Sequence, residues 1–198
     1  YGGALLYGAT GHTDLVGIGQ VLTKGGRLPY PMVVFAFTLI LAGLAFKVSA
    51  VPFHMWAPDA YEGAPTPAMS FMSVAVKSAA FAMMLRVLVL SFSDARFGSW
   101  SSGWPPILAL MAVATMIIAN LVAGRQESVK RMLAYSSIAH AGYVLVGVVA
   151  IMKVGAEAQA SVLFYLLGYT VSTAGAVGAL ILMGHRGAEA VSYEDLAG

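Results

Sequence analysis

Long, nearly uncharged apolar runs recur along this chain with only short polar breaks between them, and that pattern constrains the fold more than any other feature. Pro67–Phe92, Pro105–Gly124, Met132–Met152 and Glu157–Met183 are each long enough, at ~1.5 Å per helical residue, to cross a hydrocarbon core of about 30 Å. Charged residues make up only 10% of the chain and hydrophobic ones 59%, against about 25% charged in soluble domains. Such a chain cannot coat a water-facing globule, and a mean hydropathy of +0.80 agrees. Within lipid every backbone N–H and C=O needs an internal partner. The expected fold is therefore an all-α integral membrane bundle of about five to six transmembrane helices. It forms one transmembrane domain over residues 1–198. A net charge of +2 and the lack of a long Lys/Arg block exclude nucleic acid as a partner.

The absence of cysteine removes disulfides, cysteine-ligated zinc, iron–sulfur clusters and covalent haem attachment. Electron transfer is accordingly expected on other chains. Tyr1–Ala9 reads as the tail of a helix already under way, with no basic n-region before it, so the chain is expected to be a fragment. Gly11–Arg27 reads as a Gly-rich interfacial loop, and the polar tail Gly184–Gly198 as a segment outside the bilayer. Orientation from charge is balanced, with Arg125, Lys130, Arg131 and Arg186 on one side and Lys24, Arg27, Arg96 and Lys153 on the other. Only the clustering of Arg125, Lys130 and Arg131 favours the cytoplasm for their side.

One apolar run is interrupted. Pro31–Phe46 leads into Lys47 and Pro52, and the apolar character then resumes through Trp56. Pro52 has no N–H to offer the Val48 carbonyl, and its ring clashes with that oxygen. Pro31–Tyr61 is therefore expected as two helical pieces, broken between Lys47 and Pro52. Irregular backbone at membrane depth is tolerated where protein or a wet cavity satisfies it. Past the break, His54 and Trp56 are expected to pack against and hydrogen-bond the second piece.

The interiors of the apolar spans hold Lys47, Lys77, Arg86 and His140 but no Asp or Glu, the nearest acids being Asp59 and Glu62. Arg86, close to a helix end, can snorkel to the interface. A lysine at the bilayer centre costs on the order of 2.5–3.5 kcal/mol on insertion scales, so Lys47, Lys77 and the midspan His140 are read as functional. Ser70, Ser73 and Lys77, at i, i+3 and i+7, would lead two hydroxyls toward the amine along one helix face. Ser136, His140 and Tyr143 repeat that device, and Ser161, Tyr165, Tyr169 and Ser172 draw a third stripe. The last two stripes also suit interhelical hydrogen bonding, and Gly168, Ser172, Gly175 and Ala179 read as positions of close helix approach. An imidazole with a reference pKa near 6.5 exchanges protons in the physiological range. Two ammonium groups ~10 Å apart at an effective dielectric near 20 repel by about 1.7 kcal/mol, so Lys47 and Lys77, both expected to be desolvated, are expected to act as a coupled pair. Haem would need a second midplane imidazole, whereas His12 and His185 lie in polar segments and His54 lies past the break.

Three segments, FKVSAVPFHMWAPDAYEGAPTP (Phe46–Pro67), SFMSVAVKSAAF (Ser70–Phe81) and SVKRMLAYSSIAHAGYVLVG (Ser128–Gly147), resemble the subunit N family of the proton-pumping NADH:quinone oxidoreductase, respiratory complex I. The likeness covers essentially the whole chain. Related subunits L and M, and the cation/proton antiporters akin to them, share the broken-helix lysine and the P-F-H-x-W-x-P-D run. They usually continue with His and E-A-P, and Ala60–Pro65 here is nearer to subunit N. The resemblance implies a fourteen-helix antiporter-like fold of two inverted five-helix repeats, of which this chain would hold the end of the sixth helix through the eleventh. Lys47 would match the lysine of the broken seventh helix, Lys77 that of the eighth, and His140 would fall on the tenth, along a hydrophilic axis.

The same resemblance implies a partner glutamate before Tyr1 and a second broken-helix lysine after Gly198. It implies no cofactor in this chain, with NADH, FMN, iron–sulfur clusters and quinone held by partner subunits. The implied function is a proton-translocating subunit, with Lys47, Lys77 and His140 transferring protons, Ser70, Ser73, Ser136 and Tyr143 supporting the path, and Pro52 breaking the helix. Its partners would be the other membrane and peripheral subunits, the lipid bilayer and protons, and its location the bacterial inner membrane. Two other readings stay open: an Mrp-type cation/proton antiporter subunit, and a structural membrane subunit whose polar stripes only pack.

Overall fold

The computed structural model describes residues 1–25, 28–184 and 192–193. The readings placed on Gly26, Arg27, His185, Arg186 and most of the polar tail lie outside the described residues. In chain order the elements are α1 (Gly2–Thr10), α2 (Leu15–Lys24), α3 (Tyr30–Val48), α4 (Trp56–Gly63), α5 (Thr66–Phe71), a π-helical turn (Met72–Val76), α6 (Lys77–Ser91), α7 (Trp104–Ala123), α8 (Val129–Val154) and α9 (Ala156–Met183). Five spans, Tyr30–Val48, Thr66–Ser91, Trp104–Ala123, Val129–Val154 and Ala156–Met183, are long and apolar enough to cross a membrane. Among the described residues the only β-pairing is an isolated one between Ser128 and Ser192.

Helix starts follow local chemistry. Pro31, Pro67 and Pro105 sit in first turns, where a missing N–H costs nothing. The Ser128 side chain accepts from Arg131 N to cap α8. The two longest helices, α8 and α9, are joined by Gly155 alone, at φ 74° and ψ −133°, a backbone region that side chains with a Cβ avoid.

Gly11–Arg27 is not the loop its glycines suggest, because Leu15–Lys24 folds as α2. Asp14 caps it by accepting from Gly17 N at 2.6 Å, and Ile18 and Leu22 are buried in the core. Gly19 is required for packing: a Cβ there would stand 2.1 Å from the Leu90 carbonyl oxygen of α6.

The broken span is two pieces, α3 ending at Val48 and α4 starting at Trp56. Ser49 turns the chain at φ 60°, the Val51–Pro52 peptide is cis, and the loosened backbone is satisfied by protein. Val51 N donates to Thr115 Oγ1 of α7 at 3.0 Å. Trp56 Nε1 reaches back to the Phe46 carbonyl at 3.0 Å, and its indole stacks on the Phe46 ring with centroids 5.3 Å apart. Trp56 thus splices the second piece to the end of the first. His54 differs from expectation: its Nδ1 is buried and, among the described residues, makes no hydrogen bond.

Lipid is as apolar as leucine, so helices in a membrane associate through packing and hydrogen bonds. α7 and α8 come closest at Gly142, where a Cβ would lie 3.0 Å from Met116 N and 3.2 Å from Ala112 O. α1, α2, α3 and α6 share one core with parts of α7, α8 and α9, and Phe37, Phe81, Phe92 and Phe97 are buried in it. The segment after α6 is tied down by Trp104 Nε1, which donates to the Phe92 carbonyl at 3.0 Å. The α9 stripe behaves otherwise than expected. A Cβ added at Gly168 or Gly175 would meet nothing within 4 Å, and Ser172 and Ala179 are exposed. No described helix packs on that stripe.

Candidate functional site

Lys77 opens α6 immediately after the π-helical turn and is only 3% exposed. Its ammonium crosses to α8, donating to Ser137 Oγ at 2.6 Å and to the Ser137 carbonyl at 2.9 Å. Tyr169 of α9 donates its hydroxyl to the same Ser137 Oγ at 2.8 Å, and the Tyr61 phenol of α4 meets Ser137 as well. One serine therefore joins four elements of the bundle. Around it the lysine finds neutral oxygen atoms and, among the described residues, no carboxylate.

Beyond Ser137 the α8–α9 interface opens into a cavity of about 550 Å³. Ser136, Ser137 and His140 of α8 face Ser161, Tyr165, Tyr169 and Ser172 of α9 across it. Two of the sequence stripes thus share one space, a cleft that is open along the exposed Ser161, Phe164, Gly168 and Ser172 of α9. His140 is half-buried, and its Nδ1 lies 2.6 Å from Tyr165 Oη. Its ring also stands 5.0 Å from the Tyr169 ring, which brings the Lys77 cluster alongside the imidazole.

Not every singled-out residue joins this set. Tyr143 is 39% exposed and accepts from Asn120 Nδ2 at 3.1 Å. It touches His140 only ring edge to ring, with centroids 5.4 Å apart. The π-helical turn widens the helix between Ser70 and Lys77 and removes the simple i, i+3, i+7 alignment. Ser73 is buried and donates to the Ser70 carbonyl at 3.0 Å, and among the described residues neither serine bonds Lys77. Pro52 lies in the break. Arg86 is exposed near the end of its helix.

Lys47 occupies the last turn of α3, where the helix dipole favours a cation. It is exposed, so protein does not enclose it as it encloses Lys77. It lines a groove of about 510 Å³ with Leu44, Phe71, Ala75, Val76, Ala79, Ala80 and Met83. Among the described residues it makes no hydrogen bond or ion pair, and Lys77 does not line that groove.

Arg131 reads in sequence as part of a basic loop, yet it folds back on the broken helix. Its Nη1 donates at 2.7 Å to both Asp59 Oδ1 and Glu62 Oε2 of α4, while its Nε donates to Gln126 Oε1 at 3.3 Å. Lys130, beside it, is buried and donates to the Ala64 carbonyl at 3.0 Å. These contacts fix α4, and Tyr61 on it, against the start of α8.

Ser137, Tyr61 and the Arg131 clamp are the residues that sequence reasoning misses. Tyr165 and Tyr169 stand out in sequence only as members of a third stripe. The adjacent serines at 136 and 137 are a signal, but helical spacing from His140 selects the first. Only the direction from which α6 approaches selects the second. Among the described residues no group of three or more His, Cys, Asp or Glu side chains is placed to hold a metal ion.

A discontinuous helix bearing a lysine, beside a polar cavity between long membrane helices, defines an antiporter-like membrane protein. The chain belongs to the family described as NADH:quinone oxidoreductase/Mrp antiporter, transmembrane, whose model matches residues 1–198. Within it the chain is 68% identical over 201 residues to a Sorangium cellulosum (strain So ce56) protein named NADH-quinone oxidoreductase subunit N 1. That alignment covers 100% of this chain and 40% of the relative, so the chain spans about two fifths of its length. Among solved structures, respiratory complex I from Thermus thermophilus with bound aureothin matches at TM-score 0.72 and 37% identity, over 97% of this chain and 37% of that one. The membrane-bound sulfane sulfur reductase, an archaeal respiratory membrane complex, matches at TM-score 0.84 and 30% identity, over 100% and 38% respectively.

Proposed function

We propose that this chain is the central part of a proton-translocating membrane subunit of a bacterial NADH:quinone oxidoreductase, lodged in the inner membrane among the other subunits of that complex. NADH, FMN, the iron–sulfur clusters and quinone act in partner subunits, and this chain takes part as a non-redox translocase. The observation that carries this reading is that two hydrogen-bonded groups, Lys77–Ser137–Tyr169 and His140–Tyr165, meet at one cavity, with the Tyr169 ring against the His140 ring. Hydroxyl, imidazole and ammonium groups in hydrogen-bond contact are able to pass protons, and at low dielectric their charge states respond to charges that move nearby. The 68% identity to a named subunit N supports this assignment over an Mrp-type antiporter. The purely structural reading gives no purpose to a buried lysine bonded to a serine that lines the His140 cavity.

Lys47, in its apolar groove, is assigned to the same path at a step that needs a group from outside the described residues. The test is proton pumping by the intact complex in sealed vesicles, with NADH-driven quinone reduction measured in parallel. Ser137→Ala is expected to assemble and to lower pumping and the coupled quinone reductase rate together. Wild-type pumping by an assembled Lys77→Ala, Ser137→Ala double variant would refute the path.

A further inference from the structure

A second space lies at the membrane-surface end of α7 and α8. It measures about 510 Å³ and is lined by Asn120, Ala123, Gly124, Gln126, Met132, Ser136 and Tyr193. Gly124 and Gln126 belong to the turn between the two helices, so this pocket opens where the chain leaves the bilayer. Its polar wall is held in place: Asn120 Nδ2 donates to the Met116 carbonyl at 2.8 Å and to Tyr143 Oη, and Gln126 Nε2 donates to the Val122 carbonyl at 3.0 Å. The Ser128–Ser192 pairing brings Tyr193 to the same place.

Among the described residues, Ser136 alone lines both this pocket and the His140 cavity. Along α8 its neighbours divide, Met132 facing the outer pocket and Leu133 the inner cavity. The serine is half-buried, and among the described residues its hydroxyl makes no hydrogen bond. It lies one helical turn from His140, on the same face. A small side chain with an unengaged hydroxyl, set between two spaces large enough for water, is the opposite of an apolar constriction that dries a pore.

We propose that Ser136 is the throat through which water and its protons pass from the membrane surface at the α7–α8 turn to His140. The proposal rests on the proton-path reading above and adds to it the face from which the cavity exchanges protons. It also gives Ser136 a role separate from that of Ser137: the first sets access and the second holds the lysine.

The test is thiol labelling in the intact complex, in sealed vesicles of both orientations, with a membrane-impermeant methanethiosulfonate reagent. This chain contributes no cysteine of its own to the background, and labelling of the unsubstituted complex is subtracted. Ser136→Cys is expected to be labelled from the side that bears the α7–α8 turn, and His140→Cys from that same side. Adding Ser136→Leu to His140→Cys is expected to slow labelling at position 140 by at least about tenfold, because an apolar side chain would dry the throat. Adding Ser136→Ala instead should leave labelling unchanged. Recovery of the assembled complex is checked for each variant, and Ser136→Cys supplies a reading that does not depend on the leucine variant folding.

Labelling of His140→Cys at an undiminished rate behind Ser136→Leu, or labelling of either cysteine only from the opposite face, overturns the throat. These outcomes report water access and not pumping. Failure of the throat with pumping still dependent on Lys77 therefore strikes this inference alone, whereas normal pumping without Lys77 and Ser137 strikes the proton path and leaves the labelling result standing.

Discussion

The two intramembrane lysines begin from similar chemistry and end in different surroundings. Lys77 is enclosed, and its ammonium is met by oxygen atoms that α8 supplies within 3 Å. Lys47 stands exposed at the end of a half-helix, among methyl groups and a phenyl ring. The difference teaches that midspan placement alone does not set a lysine's surroundings: among the described residues the enclosed amine is held by the carbonyl and hydroxyl of one serine and by no carboxylate. It also separates a lysine whose polar partners lie among the described residues from one whose groove, among the described residues, is apolar.

The comparison can be broken most directly by removing the amines. In the intact complex, Lys77→Ala is expected to lower proton pumping on the order of a hundredfold, the range typical of a lost proton-transfer group. Vesicle acidification measured by a quenched dye reads this directly. Lys47→Ala should also slow pumping. If its loss is indifferent to whether Ser137 is present, the two lysines are independent stations.

That independence is the second prediction. Ser137→Ala removes one of the two oxygen partners of the buried Lys77 and keeps the backbone carbonyl; a hydrogen bond to a charged group contributes about 1.5–3 kcal/mol in comparable cases. Pumping by Lys77→Ala with Ser137→Ala should be no worse than by Lys77→Ala alone, since the serine acts through the lysine. Lys47→Ala with Ser137→Ala should instead show the product of the two single effects. The reverse pattern would place Ser137 in the service of Lys47.

A smaller effect is expected from Arg131→Ala. Partly exposed ion pairs contribute roughly 0.2–1 kcal/mol, so the thermal midpoint of the complex should fall only slightly. Because Arg131 holds α4, and with it Tyr61 beside Ser137, pumping should fall more than stability does. Lysine at this position would restore only part of it, since the guanidinium holds the two acids through Nη1 and Gln126 through Nε at once, a spread that a single ammonium does not cover.

The smallest effect lies far from both lysines. The Asp94 carboxyl is held below its ordinary value of 3.8, chiefly by the side-chain hydrogen bond from Arg96 and next by the backbone N–H of Arg96. A carboxyl whose folded value is depressed stabilises the fold above its unfolded value and loses that contribution as pH falls through the folded one. Protease cleavage in the segment between α6 and α7 should therefore rise only below about pH 3.8, and Asp94→Asn should remove that dependence without altering pumping.

What can be read in the sequence is whatever depends on a residue's own backbone or on a single helix. The break before Pro52 needs only proline chemistry, and the five long spans need only length. α2 escapes because its glycines resemble those of a loop, although Gly19 is there so that α6 can press against it. Ser73 leads to Lys77 only in a helix that keeps 3.6 residues per turn, which the π-helical turn violates. Ser137 and Tyr61 are invisible for another reason: they acquire meaning from the angle at which separate helices meet, and no spacing within one helix encodes that. For Lys47 the limit is of composition, since its groove holds only apolar partners.

The length of α8 has a consequence for depth. Its 26 residues extend to ~39 Å, more than the hydrocarbon core of about 30 Å. Lys130 stands in its first turns and Lys153 in its last. Measured along the axis, His140 lies ~15 Å from the first and ~20 Å from the second. The exposed Lys153 resists being drawn into hydrocarbon, and at the other end Lys130 is tied to the Ala64 carbonyl, so both ends hold the helix against sliding. The imidazole is thereby kept at a constant height near the middle of the membrane, and a charge that reaches it has crossed about half of whatever voltage the membrane sustains.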